Sequence, residues 1–264
     1  MKRKQLQNKK HIKRHRWARF VLCAASLCFA AAFVSVMTLR SRGLLFDDPP
    51  SLNDYPFRGA YVSKETGEIN WELFNEKYIS FCYIRATKGS AYIDEQFINN
   101  YRGALHNGMP CGLVHDLDYS VSSASQVRSF ISAEKGLSQL PMAIDIRMSL
   151  FERVFHSDDQ KNINLIKSLA EELENKVGRK VFMLMDKDTF ERYGLYLKGY
   201  DLFAFSENSD IFTSEWTVAS YSIGGSSAGL TDNSKRYTML MLQSGAKLND
   251  FTGDKTVNVL KNIE

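Results

Sequence analysis

Acidic residues are absent from the first 42 positions of this 264-residue chain, which hold eleven of its 34 lysines and arginines and none of its 30 aspartates and glutamates. Beyond them, 23 basic residues face 30 acidic ones, a net charge of −7 that the whole-chain value of +4 conceals. An acidic body argues against the basic surface that nucleic acid requires, so no nucleic-acid partner is expected. Histidine is scarce. The five, at 11, 15, 106, 115 and 156, show no metal-ligand spacing, and no metal site is expected. No internal repeat or low-complexity tract is visible. Nothing around His115 has the makings of a Ser or Cys nucleophile arrangement.

What the chain does have is a run of twenty residues without a charge, FVLCAASLCFAAAFVSVMTL at 20–39, about the length that spans a bilayer as a helix. Nine Lys/Arg precede it, and only Arg40 and Arg42 follow closely. The positive-inside bias then predicts a single-pass protein of the cell membrane, N-terminus cytoplasmic and the rest extracytoplasmic. The domains read as a basic tail at 1–19, a signal-anchor at 20–39, a linker at 40–56 and a folded domain at 57–264. Cleavage near Ala30-Ala31-Ala32 is the rival, disfavoured because the run exceeds the ~7–15 residues of a signal-peptide core. Cys82 and Cys111 lie in apolar runs and are expected as buried free thiols. A disulfide between neighbouring strands remains the alternative.

After the Pro-Pro tether, short apolar runs alternate with amphipathic stretches. RGAYVS, ISFCYIRA, CGLVHDL, MAIDI and VFMLM read as strands. NWELFNEKY, DEQFINNYRGALHNG, SSASQVRSFISAEKG and DDQKNINLIKSLAEELENKVG lie between them as helices. Beyond about residue 200 the helices stop, and LFAF, WTVASY and YTMLMLQS are strand-like. The fold class is α/β: five β/α units and three closing strands, an irregular TIM-like (β/α)5(β)3 barrel. Chemistry in such a barrel sits at the C-terminal strand ends, here Tyr61–Ser63, Arg85–Gly89, His115–Asp118, Asp145–Arg147 and Leu184–Asp186.

Seven motifs in order carry a resemblance. They are RGAYVS from Arg58, INW from Ile69, FCYIRATKGSAYID from Phe81, NGMPCGLVH from Asn107, PMAIDI from Pro141, WTVASY from Trp216, and QSG at Gln243 followed by GDKTVNVL from Gly253. Together they resemble glycoside hydrolase family 25, the Chalaropsis-type lysozymes or muramidases, across about residues 57–262. The resemblance implies the barrel just described, and cleavage of the β-1,4 bond between N-acetylmuramic acid and N-acetylglucosamine in peptidoglycan without a cofactor.

The acids of the implied site are mostly replaced. Tyr61 stands where the family has Asp, Lys88 where it has Glu, Arg147 where it has the general-acid Glu, Leu184 where it has Tyr, and Thr256 where it has Asp. Asp145 is the retained carboxylate. Glycoside hydrolysis needs a carboxylic acid to protonate the leaving oxygen, and an arginine, protonated at any working pH, does not do this. The expected reading is therefore a catalytically degenerate domain that binds peptidoglycan glycan strands or a cell-wall protein. One alternative is an active muramidase whose acids have moved to Asp145 with Asp116 or Asp118, which strand alternation would put on one face. The other is a protein-interaction scaffold with a blocked cleft, Tyr61 acting as plug and Asp145 paired to Arg147 or Lys88. Tyr61, Lys88, His115, Arg147, Tyr221, Gln243, Thr256 and Asn258 are the expected cleft residues. Arg85 is expected as a structural cation.

Overall fold

The structure, a computed structural model, describes residues 17, 21–36, 53–76, 79–205, 216–226, 229–232 and 235–243. The chain divides into two compact units, Met1–Asp48 and Pro49–Glu264. In the first, residues 21–36 are helical. At about 1.5 Å per residue they extend about 24 Å, short of a hydrocarbon core of about 30 Å. Among the described residues no helix is long and apolar enough to cross a membrane. Residues 20 and 37–39 of the expected span lie outside the described residues, as do Thr256 and Asn258.

The second unit is a barrel. Its strands are β1 (Arg58–Val62), β2 (Ile79–Lys88), β3 (Tyr92–Ile93), β4 (Cys111–Asp116), β5 (Ala143–Asp145), β6 (Phe182–Met185), β7 (Asp201–Ala204), β8 (Trp216–Ser226) and β9 (Tyr237–Leu242). The sheet runs β1-β9-β8-β7-β6-β5-β4-β2-β3, and an extra β1–β2 pairing closes eight strands into a ring. The two-residue β3 folds back antiparallel on the end of β2. Pairings from β1 through β8 around the wall are parallel, whereas β9 runs antiparallel to both β8 and β1. Five β/α units and three closing strands are thus present.

Helices form where local chemistry ends the strands. Helix Asp159–Val177 starts at Asp158, whose side chain accepts from the Lys161 amide at 3.0 Å, and stops at Gly178 with φ 68°. Capping satisfies amides that a helix end leaves open, and a left-handed glycine turns the chain away. Its buried face, Ile163, Ile166, Leu169 and Leu173, recurs at helical spacing and packs on the outside of the wall. Helix Leu150–Phe155, which periodicity did not indicate, is held by a reciprocal cap between Ser149 and Glu152. Leu150, Phe151, Val154 and Phe155 on it are all exposed.

Alternation splits the core in two. Outward residues such as Ile84, Leu113 and Ile144 meet the helices, while Phe81, Tyr83, Val114, Phe182, Leu184, Phe203 and Leu240 fill the barrel. The filling depends on Gly112, where a Cβ would come within 2.7 Å of Tyr83 Cδ1. Gly112→Ala is expected to lower stability by about 1–3 kcal/mol, since an overpacked core strains its neighbours. Urea unfolding measures it, and an unchanged midpoint would mean that Tyr83 has room to turn away.

Candidate active site

The interior of the barrel is hydrocarbon up to its C-terminal rim, where charge begins. β5 ends in Asp145, whose side chain is 7% exposed. Arg147, two residues on, donates from its Nε to Asp145 Oδ1 at 2.9 Å and from a terminal nitrogen to Oδ2 at 2.5 Å. The Arg147 amide also bonds Oδ1, at 3.1 Å. This is a forked pair, the strong form of carboxylate–guanidinium contact. The guanidinium lies 3.8 Å above the Phe205 ring centre, and Tyr61 meets the same ring edge-on at 5.7 Å. Burial works against the Arg147 charge, but Asp145, Tyr61 and Asp116 together outweigh it and hold the group ionised.

Asp116, at the end of β4, is the register partner of Asp145. Its Oδ1 is buried and has no hydrogen-bond partner, and its Oδ2 is 3.8 Å from an Arg85 nitrogen. Burial, then the neighbouring Asp145, pushes its pKa up to about 7, against the pull of Arg85, Arg147 and Lys88. Asp116 therefore keeps a proton near neutrality while Asp145, between two guanidinium N–H donors, is an acceptor. Tyr61 is half-buried against this floor; desolvation and the two aspartates raise its hydroxyl well above the ordinary range.

Arg85 is the structural cation expected: it donates to Asp94 at 2.9 Å and to Glu65 at 2.6 Å. Lys88 is exposed and stands in register with Asp116. It makes no ion pair with Asp145, whose partner is Arg147. At the rim Arg85 is paired with Glu65 and Asp94, and Arg147 with Asp145, so neither guanidinium is left as an unpaired floor for an anion.

Four expected cleft or acid residues lie elsewhere. β4 ends at Asp116, so alternation does not extend to Asp118. That carboxylate accepts from the Ser120 amide at 2.9 Å and hydroxyl at 2.6 Å, as a turn former. His115 faces outward. Its Nδ1 pairs with Thr87 Oγ1 at 2.7 Å, its Nε2 with Gln126 at 3.1 Å, and its ring packs on Phe130. Burial lowers its basicity to about 4. Tyr221 packs with the outer core, under the Arg58 guanidinium at 5.9 Å. Gln243 follows the reversed strand β9 to the opposite end of the barrel, where its amide bonds Thr217 O at 3.0 Å. Phe205 is the rim residue that sequence reading missed. Its signal was available, as the inward position at the end of the LFAF strand.

A five-unit β/α barrel closed by three strands, with adjacent carboxyls at the C-terminal strand ends, has the form of a barrel glycosidase. The chain belongs to glycosyl hydrolases family 25, whose pattern matches residues 61–205. It is similar to Lysozyme M1 of Streptomyces globisporus, 36% identical over 94 residues, or 34% of this chain and 32% of that protein. It is 28% identical over 120 residues to the autolytic lysozyme of Clostridium acetobutylicum, 45% of this chain and 35% of that one. The matched segments thus span about a third of these relatives. The barrel superposes on a family 25 glycosyl hydrolase from Bacillus anthracis with a TM-score of 0.63 at 23% identity, covering 77% of this chain and 96% of that one. A bacterial lysozyme from Streptomyces coelicolor gives 0.63 at 20%, covering 74% and 95%. At these identities the superpositions speak for the fold alone.

Proposed function

We propose that this barrel engages glycan strands of peptidoglycan without cleaving them. The observation that carries the reading is the forked Arg147–Asp145 pair: both oxygens of the retained carboxylate are taken, and the taker occupies the position where a general acid is required. Membership of family 25 and the likeness to two lysozymes support peptidoglycan as the glycan.

The test is incubation of the purified protein with isolated sacculi, following released reducing ends, muropeptides and co-sedimentation. Pelleting with the sacculi and no release is expected. Release that is lost in Asp145→Asn sinks the non-hydrolytic reading. Absence of both release and pelleting redirects the search to a protein partner and a blocked cleft.

Asp116 favours a second reading, relocated hydrolysis. A carboxyl that keeps its proton to about pH 7 is suited to protonate a leaving oxygen. Activity would then fall as pH rises through about 7 and vanish in Asp116→Asn.

We further propose that the uncharged run at 20–39 holds the barrel at the outer side of the cell membrane. The nine basic residues ahead of it support that orientation. Retention in the membrane fraction through an alkaline carbonate wash is expected, with the barrel open to protease from outside; release by the wash would contradict it.

A further inference from the structure

We propose that Cys82 and Cys111 are joined by a cross-strand disulfide that closes while the chain folds and is then sealed inside the barrel wall. The two residues are register partners on β2 and β4, and their sulfurs lie 3.1 Å apart. Neighbouring strands run about 4.8 Å apart, within the ~4.4–6.8 Å separation of α-carbons that a disulfide spans. The sulfurs need to approach by about 1 Å to bond. Both backbones are already fixed: the Cys82 amide bonds Pro110 O at 3.0 Å, and the Cys111 amide bonds Gln139 Oε1 at 2.9 Å. Thiol alignment is therefore a product of the wall itself. Cys23 and Cys28, by contrast, are exposed.

The oxidant class is a small or protein disulfide. One cysteine thiolate attacks the reagent disulfide and expels one reagent thiol; the second cysteine attacks the mixed disulfide and expels the other. Two cysteines lose two electrons and two protons in all, and the reagent leaves as two thiols. Attack requires a thiolate with access. In the finished barrel both side chains have no exposure, and burial, then Cys111, holds the Cys82 thiol well above its ordinary range. Exchange is thus confined to the time before the outer helices cover β2 and β4. The redox state set during folding persists, and the bond pins together the two strands that present Arg85, Lys88 and Asp116.

The test uses the full chain with Cys23→Ser and Cys28→Ser, unfolded in urea with reductant and refolded in either a glutathione redox buffer or reduced glutathione alone. Each product is denatured in iodoacetamide without reductant and weighed. Oxidising refolding is expected to give no alkyl groups and a proteolytic fragment joining Cys82 to Cys111, whereas reducing refolding gives two groups. Folded, reduced protein moved into oxidised glutathione is expected to keep both thiols. The joined form is expected to unfold at higher urea, because the bond closes a loop in the unfolded chain. Two alkyl groups after oxidising refolding, or separate glutathione adducts on the two cysteines, would overturn the bond. Rapid oxidation of the folded protein would overturn its sealing. Protein isolated directly under denaturing iodoacetamide gives the same readout without refolding: zero groups upholds the bond, two overturns it.

Discussion

Replacing Arg147 with Met is expected to destabilise the barrel by about 3 kcal/mol at pH 8, because removing one partner of a buried ion pair strands the other. The stranded group is Asp145, with a 7% exposed side chain, and its register neighbour is another carboxyl, Asp116. Two adjacent acids without the guanidinium cannot both be ionised cheaply, so the pair takes up a proton. The loss is therefore expected to shrink between pH 8 and pH 5. Urea unfolding of both proteins at the two pH values checks it. A loss that is the same at both would assign the effect to packing on Phe205 instead. Asp145→Asn is expected to cost less, since Arg147 keeps the Phe205 face and 28% exposure to water.

The second large effect is hidden in the wild type. Asp116 keeps its proton to about 7 when folded, whereas an ordinary aspartate releases it near 3.9. Over that interval the folded state holds a proton that the unfolded state lacks, and stability falls as pH rises, by up to about 1.4 kcal/mol per pH unit. His115 does the reverse. Its basicity is lowered to about 4, and an unfolded histidine titrates near 6.5. Stability from this residue is present above about 6.5 and is lost as pH falls toward 4. The adjacent residues oppose each other between about pH 4 and 6.5. Asp116 is faced by Asp145, Arg85, Arg147 and Lys88, and His115 by Gln126, Asp118 and Asp145. Glu65, lowered to about 2, acts mostly below this window. Asp116→Asn is accordingly expected to give a urea midpoint that climbs with pH from 4 to 6.5, and His115→Gln one that declines. Profiles equally flat in both variants would mean that neither group is displaced from its ordinary range.

The same pair of neighbours explains what could be read before the fold was known. Alternation, length and turn chemistry placed the eight wall strands, because each inward or outward position has an apolar requirement that leaves a periodic trace. That trace also separates His115 from Asp116, one facing the helices and one the rim. It stops at the strand end, which is why Asp118 belongs to a turn. Gln243 was misplaced for a different reason: motif order does not record that the last strand runs backwards, so its end lies at the far side of the barrel. The Arg147–Phe205 stack joins residues far apart in the chain, and no local pattern encodes such a meeting. Helix Leu150–Phe155 reads as core by composition, yet its four large apolar side chains are exposed. Nothing in the described residues covers them.

Closure of the ring also orders events in time. Tyr61 on β1 is flanked by Tyr83 of β2 and by Thr238 of β9, so the first strand made is completed by the last. During synthesis from the N-terminus, β1 finds β2 early and then waits through nearly the whole domain with its other edge bare. Pairings this distant in sequence are slow to form, and open strand edges recruit other chains. Between the emergence of β2 and the arrival of β9 the nascent protein therefore carries an open edge on β1 at which another chain can pair.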